Sequence, residues 1–372
     1  MPNTKVKICN VSMHYWPIKG GQEVYIDNLS TVLRKHDFDV STLQRNTGST
    51  APGVFFTPTI PKDHILGKYI HNAAWFVFNI GLFFSKRFLR KQDILLCHYP
   101  FHYPPISWHK KVIIISHGTL WEIPPTTLFD RYHKKAALRA KQKNIVTVAN
   151  DTHYLREIGF DIKPGQGFFT EVFKNTWLIP NCVDTNYFTK NESVKKEKLI
   201  IVPRNIRHDR GIHLAIEAFS LFAKQHTDYT MDIIGSGSGE YFDLCKKMVT
   251  DLGLQNNVRF VGHATKEELL AHYNRAEITL IPSLEKEGTS LSALESMSCG
   301  TATIVTAVGG LLDLPAIIVE PKAIAIAEEL SLTLENLSTI SLKQQKVVQE
   351  TFNIDIWAKT WLDVINATQR SK

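Results

Sequence analysis

Glu287 and Glu295 stand eight positions apart in EKEGTSLSALESMSCGTA (285–302), with only small or aliphatic residues between them. Two carboxylates in a cleft can do either of two jobs. As an acid paired with a base or nucleophile they cleave a glycosidic bond; as acceptors they hold the hydroxyls of a sugar or a ribose. Their surroundings favour the second. Arg204, Arg207 and Arg210 in PRNIRHDRG (203–211) follow a strand pattern and precede a helical one. Guanidinium groups stay charged and grip phosphate bidentately, so two of them converging on a diphosphate would stabilise a leaving group. Gly288, Thr289 and Ser290 leave room beside the carboxylates and offer backbone N–H groups at a helix start. Gly20 and Gly21 in YWPIKGGQE (15–23) stand between a strand and a helix, where close backbone approach suits a phosphate, although the same pair also serves a plain turn. A glycosidase has no use for phosphate seats.

Other patterns point away from competing chemistries. GSGSGE (235–240) misses G-x-G-x-x-G because the third glycine would fall at Glu240, and no acidic residue completes a dinucleotide fingerprint, so an NAD enzyme is disfavoured. Asp37-Phe38-Asp39 spells a D-x-D, yet it lies where a helix ends and a strand begins and reads as a solvated turn. The histidines around CHYPFHY (97–103) lack metal-ligand spacing and no H-E-x-x-H occurs, so no metal is expected.

These residues need elements to hold them. EITLIPS (277–283) reads as a strand ending at Ser283, and the spacing of Leu291, Leu294 and Met297 predicts a helix starting near Ser290, with Glu287 in the loop and Glu295 inside the helix. Short β-branched runs alternate with helical patterns along the whole chain, the signature of βαβ units. Strands are expected at 5–12, 93–99, 111–118, 144–150 and 177–181, then at 198–204, 229–235, 257–262, 277–283 and 301–307. The charged segment TKNESVKKEK (189–198) reads as a linker. The expected fold is α/β, with two Rossmann-like doubly wound domains, 1–188 and 189–350, facing a cleft lined by the carboxyl ends of their strands. Residues 351–372 form a C-terminal helix that either caps its own domain or crosses back to the first.

At 372 residues two domains are the better prior. The five cysteines are scattered and no secretory signal is evident, which points to a reducing cytoplasm. Residues 1–190 hold 24 Lys and Arg against 13 Asp and Glu, a net of +11, whereas residues 191–372 hold 19 against 23, a net of −4. AAWFVFNIGLFF (73–84) is too short to span a bilayer, which needs about 20 apolar residues. It runs directly into Lys86, Arg87, Arg90 and Lys91, a mixture that suits an anionic membrane surface or, equally, a half-buried helix with a solvated basic end.

EGTSLSALESMSCG resembles the E-x7-E motif of the retaining GT-B glycosyltransferases of family 4, the glycosyl transferases group 1. The likeness extends through Gly20-Gly21, SHG (116–118), IPNCVD (179–184), the basic loop, GSGSGE, NVRFVGHATKEEL (257–269) and GGLLDL (309–314). It implies that Glu295 binds the ribose hydroxyls of a nucleotide and Glu287 a hydroxyl of the donor sugar. Arg204 and Arg210 would hold the diphosphate, with the backbone of Gly20 and Gly21 contacting it from the other domain. His117 would touch the transferred sugar near the reacting carbon, and Gly262, His263 and Ala264 would contact the base. Gly288, Thr289, Ser290 and Leu291 would shape the donor-sugar wall, where the family's usual Gly-Phe-Gly-Leu-Pro is Gly288-Thr289-Ser290-Leu291-Ser292 in this chain. Counting back from Gly211 puts Asn205 at the family's arginine position, while a one-residue insertion restores Arg204. The implied activity is a retaining, metal-independent transfer from a UDP- or GDP-sugar, without a cofactor, to a saccharide or lipid-linked acceptor in cell-envelope or exopolysaccharide synthesis. The implied location is cytoplasmic and peripheral on the inner face of the plasma membrane, with no nucleic-acid partner. A nucleotide-sugar epimerase or hydrolase, or a non-catalytic nucleotide-sugar binding protein, would use the same fold.

Overall fold

The computed structural model describes residues 5–18, 20–58 and 73–370, so Lys19 of the glycine loop lies outside the described residues. The chain divides into two units, one of residues 1–162, 167–180 and 358–372 and the other of residues 163–166 and 181–357.

The first unit is built on an eight-stranded sheet in the order β3-β2-β1-β4-β5-β6-β8-β7. Its strands are β1 (Lys7–Val11), β2 (Asp39–Gln44), β3 (Val54–Phe56), β4 (Ile94–His98), β5 (Val112–Ser116), β6 (Thr147–Ala149), β7 (Thr170–Phe173) and β8 (Thr176–Leu178). All neighbours pair in parallel except β7 with β8. Strands such as ILLCH and VIIIS are buried along their whole length, as expected where helices cover both faces of a parallel sheet. β2, β3 and β7 escape the hydrophobic pattern. β2 buries Thr42 and Gln44 beside its aliphatics, and β7 reaches β8 through Lys174 and Asn175, the latter at φ 56°, a positive-φ turn without glycine as its marker.

The second unit carries six parallel strands in the order β11-β10-β9-β12-β13-β14. They are β9 (Glu197–Val202), β10 (Thr230–Ile234), β11 (Val258–Gly262), β12 (Ala276–Ile281), β13 (Ala302–Thr306) and β14 (Ile317–Val319). Its core joins Ile200 and Val202 of β9 to Ala215 and Phe219 of the helix Ile212–Phe222.

The segment 189–198 lies inside this unit rather than ahead of it: its last two residues open β9, and Asn191 N–H donates to Asn274 Oδ1 at 2.7 Å. The C-terminal helix runs Ile354–Arg370, and its residues from Ala358 onward count with the first unit. There Trp361 Nε1 donates to the Tyr25 hydroxyl at 3.1 Å, and Lys111 Nζ to the carbonyl of Gln369 at 2.6 Å.

The run 73–84 forms a helix, Ala73–Phe84, that buries Phe78, Gly81 and Leu82 and exposes Phe76, Ile80, Phe83 and Phe84. Among the described residues no helix is long and apolar enough to cross a membrane.

Candidate functional site

In the second unit β12 hands the chain to a loop that ends at Ser290, the N-cap of the helix Leu291–Ser298. Glu287 lies in that loop with about 10% of its side chain exposed. Its Oε2 receives Nη2 of Arg204 and Nη1 of Arg210, and the Ser283 hydroxyl donates to the same oxygen at 3.1 Å. Arg204 Nη2 also donates to Ser283 Oγ at 3.1 Å. Arg207 forks onto Asp209 at 3.0 and 2.5 Å, and Arg210 Nε stands 3.4 Å from the same carboxylate. Three guanidinium groups against two carboxylates leave a surplus of one positive charge.

Burial pushes the pKa of Arg204 down, and Glu287 opposes the shift. The Nε of Arg204 is buried and lacks a hydrogen-bond partner among the described residues, an unspent donor beside the carboxylate cluster. Asn205 takes no part in this cluster; its Oδ1 accepts from Ser236 N–H at 3.1 Å. Of the two neighbours, Arg204 is the one that reaches Glu287.

Backbone contacts hold the Glu287 loop on two sides. Gly211 adopts φ 68°, and a Cβ there would lie 1.9 Å from the carbonyl oxygen of Pro282, so the basic loop and the end of β12 meet backbone to backbone. Leu284 N–H donates to the Asp209 carbonyl at 3.0 Å across that seam. On the other side Gly310 N–H donates to the Glu287 carbonyl at 2.7 Å, and a Cβ on Gly309, at φ 53°, would stand 2.3 Å from that same oxygen.

Glu295 belongs to a different network. From within the helix its Oε2 accepts from the Tyr273 hydroxyl at 2.9 Å, and Tyr273 is wholly buried on the helix Lys266–Arg275. Burial pushes the Glu295 carboxyl up to about 7, while the Tyr273 hydrogen bond and Lys266 pull it back. The two glutamates therefore do not share one cluster as an acid and a base.

Asn181 braces the wall next to Glu287: its N–H donates to Thr289 Oγ1 at 2.9 Å and its side-chain amide to the Thr289 carbonyl. Ser290 Oγ caps the helix by accepting from Ala293 N–H at 3.4 Å, Leu291 is the first helical residue, and Gly288 is half-buried. Gly262 ends β11, with its carbonyl accepting from Gly235 N–H at 2.7 Å. His263, exposed, and Ala264, half-buried, then lead to the Thr265–Glu268 capping box.

In the first unit Gly20 is the N-cap of the helix Gly21–Lys35 and has no side chain with which to cap it. His117 follows β5 directly. Its Nε2 lies 2.8 Å from Nδ1 of His98 at the end of β4, with Tyr25 meeting its ring edge-on at 4.9 Å and Tyr99 at 5.3 Å. Tyr99 in turn donates its hydroxyl to Gln22 Oε1 at 3.1 Å, on the first turn of the helix that Gly20 opens. His117 and the first turn of the helix that Gly20 opens are thus linked through Tyr99, just past the end of β4. Burial pushes the His117 pKa down to about 3.

Ser283, Tyr273, Asn181, Gly309 and His98 were not singled out by residue type and spacing. Asn181 and Gly309 sit inside stretches quoted for the resemblance, and His98 falls in the run set aside for lacking metal-ligand spacing. Tyr273 carries no local signal, because its role arises only when two helices pack.

Residues 183–340 match the model of the family described as glycosyl transferases group 1. D-inositol 3-phosphate glycosyltransferase of Pseudarthrobacter chlorophenolicus is 22% identical over 355 residues, covering 82% of this chain and 80% of that protein. An uncharacterized glycosyltransferase of Methanocaldococcus jannaschii is 30% identical over 118 residues, which span 32% of this chain and only 29% of the relative. Among solved structures, sucrose-phosphate synthase from Thermosynechococcus elongatus aligns with a TM-score of 0.77 at 18% identity, covering 98% of this chain and 99% of that one. HepE of Anabaena, in complex with UDP and glucose, aligns with a TM-score of 0.75 at 14% identity over 97% of this chain and 100% of that one.

Proposed function

We propose that this chain, whose residues 183–340 match the model of the glycosyl transferases group 1 and whose fold is GT-B, is a retaining, metal-independent glycosyltransferase that uses a nucleotide-diphosphate sugar. The observation that carries the reading is the convergence of Arg204 and Arg210 on Glu287 beside an arginine surplus. Both guanidiniums hold the donor diphosphate, Glu287 turns to a hydroxyl of the sugar, and Glu295 takes the ribose hydroxyls. His117 accepts from the transferred sugar, the backbone at Gly20 and Gly21 contacts the diphosphate, and Gly262 to Ala264 face the base. The bond from the anomeric carbon to the diphosphate oxygen breaks, the acceptor oxygen bonds to that carbon on the same face, and the acceptor proton passes to the departing diphosphate. Arginines fixed in place stabilise the charge that develops, at no reorganisation cost during the step. A metal is not needed for that task, nor is a cofactor.

The donor is a UDP- or GDP-sugar; HepE, a relative in fold, was captured with UDP and glucose. The acceptor is a saccharide or lipid-linked saccharide of the cell envelope or an exopolysaccharide, reached from the cytoplasmic face. Support for a peripheral membrane site comes from the exposed Phe76, Ile80, Phe83 and Phe84, followed by exposed Arg87, Arg90 and Lys91. Thermal-shift screening against UDP-, GDP- and ADP-sugars in EDTA tests the donor reading. One nucleotide class should raise the melting temperature without metal, since a ligand specific to the folded state stabilises it. A shift that appears only with Mn²⁺ would remove the metal-free mechanism.

A further inference from the structure

Beneath His117 lies a buried chain of hydrogen bonds that runs through His98 to Asn10. Asn10 on β1 places its amide nitrogen 3.1 Å from Ser30 Oγ and its carbonyl oxygen 3.0 Å from His98 Nε2. An amide oxygen can only accept, so His98 carries its proton on Nε2 and its Nδ1 is a lone pair. That lone pair faces His117 Nε2 at 2.8 Å and requires a donor there. His117 therefore has its proton on Nε2, and in a neutral ring Nδ1 is bare. Asn10, Ser30 and His98 are all wholly buried. The two imidazoles lie 10° from parallel with centroids 5.1 Å apart. Burial, which pushes His117 down to about 3, keeps its ring neutral.

We propose that His98 is a positioning residue for His117, fixing the tautomer in which Nε2 bears the proton so that bare Nδ1 meets the donor sugar as a neutral hydroxyl acceptor. This rests on the proposed contact of His117 with the transferred sugar. A histidine whose second nitrogen is engaged by an orienting partner has its ring angle and its basicity set by that partner. The carbonyl oxygen that Asn10 turns to His98 gives the chain its direction. Turned over, the same amide would donate to His98 and reverse both tautomers.

Long-range proton–nitrogen correlation spectra of the full-length wild-type protein, labelled with ¹⁵N-histidine, read the tautomers directly. Both His98 and His117 should show the Nε2–H form, and an Nδ1–H form of His117 overturns the proposal. Kinetics give an independent arm with the donor found by thermal shift. His98→Leu should lower kcat about 10- to 100-fold, the range seen when an orienting partner is lost, with the donor KM little changed. His98→Gln, whose amide can accept from His117 and donate to Asn10, should restore most of the rate. Wild-type turnover in His98→Leu contradicts the positioning role, and if that variant does not fold, the wild-type spectrum still decides. His117→Ala separates the two levels: full activity there removes the contact of His117 with the sugar and the proposal with it. A slow His117→Ala beside a fast His98→Leu removes the positioning role alone.

Discussion

Glu295 carries a testable electrostatic signature. Its folded pKa, raised by burial to about 7 from an ordinary value near 4.5, means that the folded state holds a proton between those limits that the unfolded chain has released. Stability relative to Glu295→Gln should accordingly fall as pH rises from about 4.5 to about 7 and level off above. Nucleotide affinity should run the other way, rising through about pH 7, because ribose hydroxyls donate to the carboxylate form; Glu295→Gln should flatten the slope. Glu295→Ala should weaken nucleotide binding by about 1.5–3 kcal/mol, the scale of a hydrogen bond to a charged group. Calorimetric titration across pH 5.5–8.5 checks both, and an affinity unchanged by Glu295→Ala would remove the ribose role. At this scale the sequence was informative about which residues carry charge and much less about their partners. The spacing of Glu287 and Glu295 was plain, yet that Glu287 takes two arginines and a serine while Glu295 takes a tyrosine from another helix depends on long-range packing. The choice between Arg204 and Asn205 was likewise open until the end of β9 fixed which side chain points at the loop.

The loop after β12 is held less by its own side chains than by the glycines of two neighbouring elements. Gly309→Ala would drive a Cβ to within 2.3 Å of the Glu287 carbonyl oxygen at a φ of 53° that disfavours any side chain. The expected outcome is a loss of about 1–3 kcal/mol in stability from backbone strain, together with weaker nucleotide binding because Glu287 shifts. Denaturant unfolding and titration on the same sample check this, and a variant with wild-type values in both would show that the Gly309 turn does not set the loop. The elements themselves were legible where apolar residues run continuously, as in β5 and β13, both buried from end to end. Legibility failed where a strand is short or polar, as with β2, β3, β7 and β14. It failed again at 189–198, where charge suggested a linker but Lys196 reaches inward to the Tyr273 carbonyl and Thr301 Oγ1.

Across the whole molecule, the division into a basic and a mildly acidic half follows the +11 and −4 of its sequence. The exposed face of Ala73–Phe84 with its basic sequel predicts sedimentation with vesicles rich in anionic phospholipid at low salt. Binding should weaken at high ionic strength, and Phe83→Ser/Phe84→Ser or alanine at Arg87, Arg90 and Lys91 should reduce it; equal sedimentation with neutral vesicles would contradict the electrostatic part. Two Rossmann-like units were evident from the strand–helix alternation, but the return of residues 358–372 to the first unit was one of two destinations open to that helix, decided by Trp361 on Tyr25. The central claim is that the arginine pair in the second unit is a diphosphate seat, and the most direct measurement is calorimetric titration of wild-type protein and Arg210→Ala with the matching nucleoside diphosphate and nucleoside. Arg210→Ala should weaken the diphosphate by about 1.5–3 kcal/mol, the worth of a charge-assisted hydrogen bond, and leave the nucleoside unaffected. Equal diphosphate affinity in the two proteins, or no binding of any nucleoside diphosphate to the wild type, would contradict it.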